Sequence, residues 1–447
     1  MLGLYGEYQV VVAGAGIAGV VASIAARRQG AKVLLLEDSG TVGGMVTGGR
    51  LTKPHGPVDG GIFLEMIQRA ASVGGANLST WQVHWGEFGA VLDPEVMQRV
   101  ILEMLEEAGV EVLLHARVVD VLQDSRVRGL EVAVKSGRKA VLGRAAVDAT
   151  GDGDVAALAG APFLLGRPAD GKTQPISSYL RVVNVDTPRL ARYMREHPEE
   201  FTELVLPEGD GKNPEDYRLN LLASGFGGLI DRARKAGDWK VPKGYISVKS
   251  GMMPGEVNLN ATRFQGNGLD ERTLSEAEIE LRKQAYNVVD FLRKYVPGFE
   301  QALLLEVAPK LGVRETRRIL GDYLLSGDDV KAERRFPDAI ALSRSGLDIH
   351  EPGGEGGLKL SVGAGYGIPY RCLLPKGVDG LLVAGRCIST DEIAFGSTRN
   401  VPTCAQTGQA AGTAAALAVQ AGLTPRQLNA AELQAALRSQ GLALGTS

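Results

Sequence analysis

The sequence predicts an α/β protein, a Rossmann-like three-layer nucleotide-binding domain interrupted by an inserted α+β domain. Three observations lead there. A strand–glycine loop–helix–strand unit opens the chain, in "YQVVVAGAGIAGVVASIAARRQGAKVLLLEDSG" from Tyr8 to Gly40. A further strand-like run, Leu381 to Ala384, comes very late and is followed by a helix. Between them, from about Pro162 to Tyr366, short strand-like runs alternate with charged helical segments and do not continue a regular βα order. The expected division is residues 1–160 with 367–447 for the nucleotide domain and 161–366 for the insert.

The opening unit is read residue by residue. Val10, Val11 and Val12 form a β-branched run of strand length. Gly14, Gly16 and Gly19 follow as G-x-G-x-x-G. The first permits a tight turn, the second lets the backbone approach a pyrophosphate, and the third lets the helix lie close to the strand. Ala18 to Ala26 are small and apolar, as suits a helix packed on a sheet. The helix N-terminus, at Ile17 and Ala18, points free N–H groups at phosphates. Lys32 to Leu36 make the second strand, closed by Glu37 and Asp38. A carboxylate there can accept hydrogen bonds from the adenosine ribose and would repel a 2′-phosphate, which counts against NADP. Gly151 to Ala156 also fits a looser G-x-G-x-x-A, but only the first motif brings strand, glycines, helix, second strand and acid in order.

A glycine-rich loop, "SGTVGGMVTGG", follows with the pair Gly43-Gly44. Asp93 and Pro94 predict an N-cap and a first helical turn, and Gly109 the end of that helix. "VEVLLHARVVDVL" reads as one strand, and "LEVAVKSGRKAVLGRAAVDATGDG" as a hairpin leading into a sheet strand that ends at Ala149-Thr150-Gly151-Asp152. In the middle, Thr273 to Val296 predicts a helix with Ser275 as its cap and a solvated charged face. Glycine-rich loops are expected at Gly225–Gly228 and Gly353–Gly357. After the late strand, Arg399 to Gly422 predicts a helix with Pro402 near its start. Its Gly408, Ala411, Gly412 and Ala415 make a flat face for a sheet or a bound ring. A last helix is expected from Thr424-Pro425, with Leu428, Leu433 and Leu437 inward. There is no internal repeat.

Composition narrows the function classes. Of 447 residues 44% are hydrophobic, and 49 Lys and Arg stand against 52 Asp and Glu. That balance gives no reason to expect nucleic acid or a membrane as partner. No apolar run approaches the ~18 residues of a membrane helix, and the first strand begins too early to leave room for a signal peptide. The three cysteines, Cys372, Cys387 and Cys404, form no C-x-x-C, which argues against a redox disulfide, a cysteine-held iron–sulfur cluster and a four-cysteine zinc site. Buried thiols of a cytoplasmic protein are the expectation. The five histidines are scattered, and no metal is expected.

The first unit alone does not separate NAD from FAD. An NAD dehydrogenase completes its sheet with further βα units soon after the first. Here the completing strand comes after a long insertion, which is a flavoprotein layout. The late helix has a use in that case, since its N-terminus, near Arg399 to Thr403, can face the flavin pyrimidine and stabilise negative charge at N1/C2=O.

The chain resembles the FAD-dependent oxidoreductase family with a glutathione-reductase-type nucleotide fold, in the branch with an AGR strand and a GQAAG helix, over nearly its whole length. The residues that carry this are Gly14, Gly16, Gly19 and Glu37; Gly43-Gly44; Asp148 to Gly153; Gly312 to Arg317; Asp348-Ile349-His350; Gly367 to Arg371; Ala384-Gly385-Arg386; and Thr407 to Gly412. The resemblance implies FAD that stays non-covalently bound. Gly14, Gly16 and Gly19 would hold the pyrophosphate and Glu37 the adenosine ribose. Gly43, Gly44 and Met45 would run beside ribityl and flavin, and the Val118 backbone would meet the adenine. Thr150, Gly151 and Asp152 would lie near the pyrophosphate, with Gly385-Arg386 and Gly408-Gln409 closing on the ribityl and pyrimidine ends.

The reaction expected is hydride transfer between a small organic substrate and flavin N5. His350 could move a proton and Arg314 could clamp a carboxylate or polarise a carbonyl. Tyr366 and Tyr370 flank a turn leading into the flavin domain and could reach the ring. The bland alternative makes Arg314, Arg317, Arg318 and Glu315 an interdomain salt-bridge network and His350 a loop cap. His55 is a minor candidate for a covalent tether. Three other classes compete: an NAD(P)-dependent dehydrogenase, a flavoprotein acting on tRNA, and an FAD-stabilised non-catalytic binding protein. The sequence leaves the substrate, the electron donor or acceptor and homo-oligomerisation open.

Overall fold

Strand-sized runs of Val, Leu and Ala fold as strands buried on both faces, as a parallel sheet demands. The computed structural model describes residues 2–446 except 79–80, 84–85, 89, 208–216, 218–220 and 353–356, together with the side chains of 81–83 and 86–88. Strand β1 (Gly3–Ala13) leads through Gly14–Gly16 into helix α1 (Ile17–Arg28), then β2 (Val33–Leu36). Helices α2 (Gly61–Ser72) and α3 (Pro94–Ala108) follow, then β3 (Glu111–Leu113), β4 (Arg117–Gln123), β5 (Val127–Val134) and β6 (Gly137–Asp148). The order β3-β2-β1-β6 is parallel throughout, with Ala13 beside both Leu36 and Asp148. The late strand Leu381–Val383 joins as predicted, parallel to the end of β6, with Ala146 opposite Leu381. The first half of β6 pairs instead with the antiparallel meander β5 and β4. The strands of the parallel set all end on one edge, the place where open α/β sheets bind ligands.

The late helix Val401–Gln420 lies against α1. A methyl on Gly408 would sit 2.2 Å from the Ala18 carbonyl oxygen, and one on Gly412 2.0 Å from that of Ala22. The flat glycine face of the sequence therefore receives a helix, not a bound ring.

The inserted domain carries its own sheet. Strands β7 (Tyr179–Val183), β8 (Phe201–Val205), β9 (Leu222–Gly225), β10 (Ile246–Ser250), β11 (Val257–Asn260) and β12 (Leu303–Val307) pair antiparallel in the order β8-β9-β10-β11-β7-β12. Leu180, Val182, Ala223, Ile246, Val248, Val257 and Leu259 form one core with helix α4 (Glu271–Tyr295) through Ala285, Val288, Val289 and Leu292. The alternate residues Tyr179, Ser224, Ser247, Lys249, Asn258 and Asn260 take the opposite face. That face is not left to solvent. Asn258 Nδ2 donates to the Arg50 carbonyl at 3.1 Å and Lys249 Nζ to that of Lys53 at 3.4 Å, so the polar side of the sheet meets the segment after the Gly43-Gly44 loop. Arg50 forks onto Glu306 of β12 at 2.8–3.1 Å and closes the edge of this contact.

Several boundaries differ from expectation. The run 110–122 is two strands, broken at His115 (φ 53°). The Leu113 carbonyl accepts from the Glu37 amide and the Ala116 amide donates to the Glu37 carbonyl, so the chain turns around the end of β2 before joining β5. Asp270, not Ser275, caps α4, accepting from the Thr273 amide at 2.7 Å, while Ser275 donates back to the Glu271 carbonyl. Pro425–Gln427 is a single tight turn, and the last helix starts at Ala430 under Asn429. Gly225 ends β9, and Gly227–Gly228 begin a helix rather than a loop. Of the expected loop Gly353–Gly357, residues 353–356 lie outside the described residues. The insert also returns early: Ile319, Leu325, Phe336, Leu347 and Tyr366 belong to the core of the first domain. The helix Pro94–Ala108 is framed as predicted, with Asp93 accepting from the Glu95 and Val96 amides and Gly109 at φ 72°. Among the described residues no helix is long and apolar enough to cross a membrane, and no group of His, Cys, Asp and Glu has metal-binding geometry.

Candidate functional site

At the carboxyl edge of the parallel sheet the three glycines have three distinct reasons. Gly14 has φ +92°, and a methyl on it would lie 2.5 Å from the Ala149 carbonyl oxygen. A methyl on Gly19 would lie 1.8 Å from the Gly14 carbonyl oxygen. One on Gly16 would meet nothing within 4 Å. Gly16 thus fronts an open cradle at the start of α1, where no side chain caps the helix and the amides of Ile17, Ala18 and Gly19 have no carbonyl a turn earlier. The second glycine loop forms the opposite wall. The Gly43 amide donates to the Ala15 carbonyl at 2.7 Å, and a Gly44 methyl would come within 2.9 Å of Gly16 Cα. Met45 continues this wall, its carbonyl accepting from the Leu51 amide at 2.9 Å.

Glu37 is 4% exposed at the end of β2. It accepts from the Ala15 amide at 2.7 Å and from the Ser39 amide and hydroxyl at 3.1 and 2.6 Å. Burial alone would raise its carboxyl, but Asp38, Lys310, Ser39 and Ala15 bring it below the usual range. Asp38 is pushed up to about 6, first by its hydrogen bond to Glu37 and then by burial. Lys310 reaches Glu37 from the other domain at 3.9 Å. Val118 pairs with Val132 in the meander just beyond this corner.

The end of β6 and the late strand make an interdomain clamp. Asp148, fully buried and raised to about 6 by that burial, accepts from the Thr150 hydroxyl at 2.7 Å and the Ala156 amide at 2.9 Å. Asp152 is not left for a phosphate, which its charge would repel. It holds Arg386 at 2.5 Å and accepts from the Thr316 hydroxyl at 2.7 Å. Arg386 in turn donates to the carbonyls of Gly151 and Val313. Gly385 (φ +78°) abuts the Ala18 methyl. Gln409 spends its amide on the Ile62 N–H and on Gln440, both at 2.9 Å. The side chains of Asp152, Arg386 and Gln409 are thus held by protein partners, and Gly408 packs on α1.

The clamp holds the segment 313–318, and its three arginines separate. Arg317 pairs with Asp154 at 2.8 Å, and Arg318 pairs with Glu315, both about 2% exposed. Among the described residues Arg314 makes no ion pair with an acid. Its Nη1 donates to the Pro175 carbonyl at 2.6 Å, and it stands within electrostatic reach of Arg399, Tyr179, Asp348 and Arg263 at the candidate cleft between the domains. Burial first, and then Arg399, lower it to about 10. His350 shares the cleft, with Nε2 3.4 Å from Asp348 and its amide donating to Gln174 Oε1 at 3.1 Å. Burial above all holds His350 at about 4, against the pull of Asp348. Burial would raise Asp348, but His350, Arg399 and His55 bring it well below the carboxylate range. Arg399 holds Asp348 at 3.2 Å. His55 is buried nearby and is lowered to about 4, chiefly by burial.

Tyr366 and Tyr370 are not brought here. Their strand pairs with Ala339–Ser343 inside the first core. The Tyr366 hydroxyl shares a 2.6 Å bond with Ser397, and that of Tyr370 donates to the Pro425 carbonyl at 2.8 Å. Burial pushes Tyr366 up to about 12 and Tyr370 beyond. Sequence reasoning missed the opposite wall, Tyr179, Lys243, Tyr245 and Asn260. For Tyr179 and Asn260 the signal was present as the alternation Tyr179-Leu180-Arg181-Val182 and Val257-Asn258-Leu259-Asn260; Lys243 and Tyr245 lie outside any such run.

A family model described as FAD dependent oxidoreductase matches residues 9–437. Digeranylgeranylglycerophospholipid reductase 1 of Methanococcoides burtonii is 24% identical over 378 residues, 77% of this chain and 89% of that protein. Among solved structures, a geranylgeranyl bacteriochlorophyll reductase-like protein of Thermoplasma acidophilum aligns with a TM-score of 0.50 at 13% identity, covering 98% of this chain and 82% of that one. The flavin-dependent halogenase CmlS aligns with a TM-score of 0.50 at 14% identity, covering 97% and 62%. At these identities the two structures share the fold.

Proposed function

Because the chain belongs to the FAD dependent oxidoreductase family, we propose that it transfers hydride between a small organic substrate and N5 of its FAD. The observation that carries this is the cluster of His350, Asp348 and Arg399, joined at 3.4 and 3.2 Å, with Arg314 and the buried His55 of the segment after the glycine wall in electrostatic reach. FAD, when bound, supplies hydride acceptance and donation at N5. The residues fit it. Gly14, Gly16, Gly19 and the amides of Ile17 and Ala18 suit the pyrophosphate, and Glu37 with Asp38 suits the adenosine ribose. Gly43, Gly44 and Met45 suit the ribityl side, with the backbone of Thr150 and Gly151 opposite and Val118 near the adenine end. His350, neutral at pH 7, takes the substrate's proton. Asp348, itself fixed by Arg399, orients the ring and stabilises the imidazolium that forms. The sheet of the insert closes over the cleft and excludes water. The three cysteines are free, which agrees with a cytoplasmic protein.

The test is anaerobic reduction of the yellow holoenzyme by a panel of alcohols, amines and hydroxy or amino acids, followed at ~450 nm. We expect one class to bleach the flavin, and His350→Gln to slow bleaching by about 10²–10³-fold with FAD content unchanged. Bleaching that His350→Gln leaves at full rate would remove the proton-transfer role. A protein that neither holds nor takes up FAD would sink the whole reading.

A further inference from the structure

The mechanism above asks the inserted sheet only to close the cleft, yet its polar wall is more specific than that. Lys243 is 2% exposed, and its Nζ donates to the carbonyl and side-chain oxygens of Asn260 at 2.6 and 3.1 Å, both neutral. Its ammonium lies 4.3 Å from the Tyr245 ring centroid. Arg314 uses one of its five N–H groups, also on a neutral oxygen, Pro175 O. Burial first, and then Arg314 and Arg263, bring Lys243 well below the usual ammonium range, while burial and Arg399 lower Arg314. The acid that reaches Arg314, Asp348, is already shared by Arg399 and His350. Beside Pro175, Gln174 is 2% exposed. Its Oε1 accepts from the His350 amide, while its Nε2 is buried without a partner. The hydroxyls of Tyr179 and Tyr245 make no hydrogen bond among the described residues. A guanidinium and a buried amine on neutral oxygens, an orphaned amide donor and two tyrosine hydroxyls form a built site rich in donors and ready for an anion. Burying such charges without a counter-ion is unfavourable, and leaving a buried donor unpaired adds a smaller cost.

Resting on the reading of this cleft as the substrate site, we infer that the substrate carries a carboxylate, held by Arg314 with Lys243, Gln174 Nε2 and Tyr245 around it. A planar anion matches the fork of a guanidinium, and Arg314 sits beside His350, so an anchored carboxylate fixes the adjoining carbon next to the proton acceptor. Seating the anion also offsets the positive field of Arg314 and Arg399 on His350, which makes the imidazole a stronger base when substrate is present and a weaker one when it is not. The class this describes is a small carboxylic acid oxidised or reduced at a carbon near the carboxyl group.

The experiment titrates the FAD-loaded protein with formate, acetate, benzoate, succinate and citrate, and with formamide, acetamide, benzamide and succinamide as matched neutral probes. The readout is perturbation of the flavin absorption band. At least one acid should perturb the band while its amide does not. Arg314→Gln should weaken that binding about 100-fold and Tyr245→Phe about threefold, with FAD content unchanged in both. Equal effects of acid and amide, a response that Arg314→Gln leaves intact, or no response to any carboxylate would overturn the inference while the flavoenzyme stands. A response to inorganic phosphate or sulfate alone, dependent on Arg314, would also overturn it in favour of a tetrahedral anion. If Arg314→Gln fails to fold, Lys243→Met and Tyr245→Phe together carry the same comparison. Loss of FAD from the parent protein would strike the prior reading, not this one.

Discussion

The two sheets of this molecule are built on opposite rules. In the nucleotide domain the backbone itself makes the site: glycines bring main chain against main chain, and side chains mostly fill the core. In the inserted domain the backbone is ordinary antiparallel sheet, and the candidate site is made by side chains, Tyr179 and Asn260 from one face of that sheet and Lys243, Arg314 and His350 from the segments around it. A site made by backbone is rigid and intolerant of added atoms. A site made by side chains is tolerant of shape and sensitive to charge. The two halves should therefore fail in different ways.

The largest failure is expected on the backbone side. Gly19→Ala places a methyl 1.8 Å from the Gly14 carbonyl oxygen, with no flexible side chain to move aside. The helix must separate from the first strand, and we expect a loss of about 4 kcal/mol or more together with loss of FAD. Urea unfolding and the yellow colour of the purified protein report both. Retention of wild-type stability would mean that α1 does not lie where the structure puts it.

Next comes the junction between the halves. Arg318 and Glu315 are both about 2% exposed, and Arg318 also donates to the Gly166 carbonyl at 2.8 Å. Arg318→Met strands the Glu315 charge and should cost about 3–4 kcal/mol. The double variant with Glu315→Gln should recover part of it, because the stranded charge is then gone. A double variant no better than the single would place the cost in packing.

The contrast also explains what the sequence disclosed. Gly14, Gly16, Gly19, Glu37 and the late strand Leu381–Val383 were legible because a βαβ turn constrains residue types locally, and a short apolar run between glycines has few other uses. The cleft was legible only in part. His350 and Arg314 drew notice as chemistry, but Arg314 could not be told from Arg317 and Arg318, since only the fold decides which arginine finds an acid. Lys243 and Tyr245 went unseen because they stand in the irregular segment before Ile246, and Tyr179 because in a lone strand the polar face reads as the solvent face. Docking of a second domain turns it inward, and no local pattern encodes that. Tyr370 failed for the converse reason: nearness in sequence to the flavin domain put it into that domain's core, not its cleft.

Acid should act on the side-chain half at intermediate size. His350 is held at about 4 by burial and stands near 6.5 when unfolded. Its folded value is the lower one, so the unfolded chain takes up the proton first, and stability falls as pH drops from about 6.5 to about 4. Between pH 7 and pH 5 this one group should remove about 2 kcal/mol. His55, also at about 4, acts in the same direction. Asp148, raised to about 6, acts in the opposite one, since its folded value is the higher and protonation favours the native state. Urea midpoints of the FAD-saturated protein at pH 7 and pH 5 should converge in His350→Gln relative to the parent. An unchanged difference would mean that His350 is solvated in the folded state.

The smallest effect on stability should come from Gly16→Ala, and it divides the two roles of the glycine motif. Gly16 has φ −64°, ψ 174°, which alanine adopts without strain, and its added methyl meets nothing within 4 Å. Fold and stability should stay within about 1 kcal/mol of the parent, or rise slightly through loss of unfolded-chain entropy. The methyl nevertheless enters the space that the main chain leaves before α1, where a pyrophosphate approaches the free amides. The variant should purify folded and colourless, and bind added FAD at least 100-fold more weakly than the parent. Gly19→Ala and Gly16→Ala, three residues apart in one motif, would then separate a glycine that packs from a glycine that binds. A yellow, fully loaded Gly16→Ala protein would show that the cradle is not where the dinucleotide lies, and would leave the openness at Gly16 without a function.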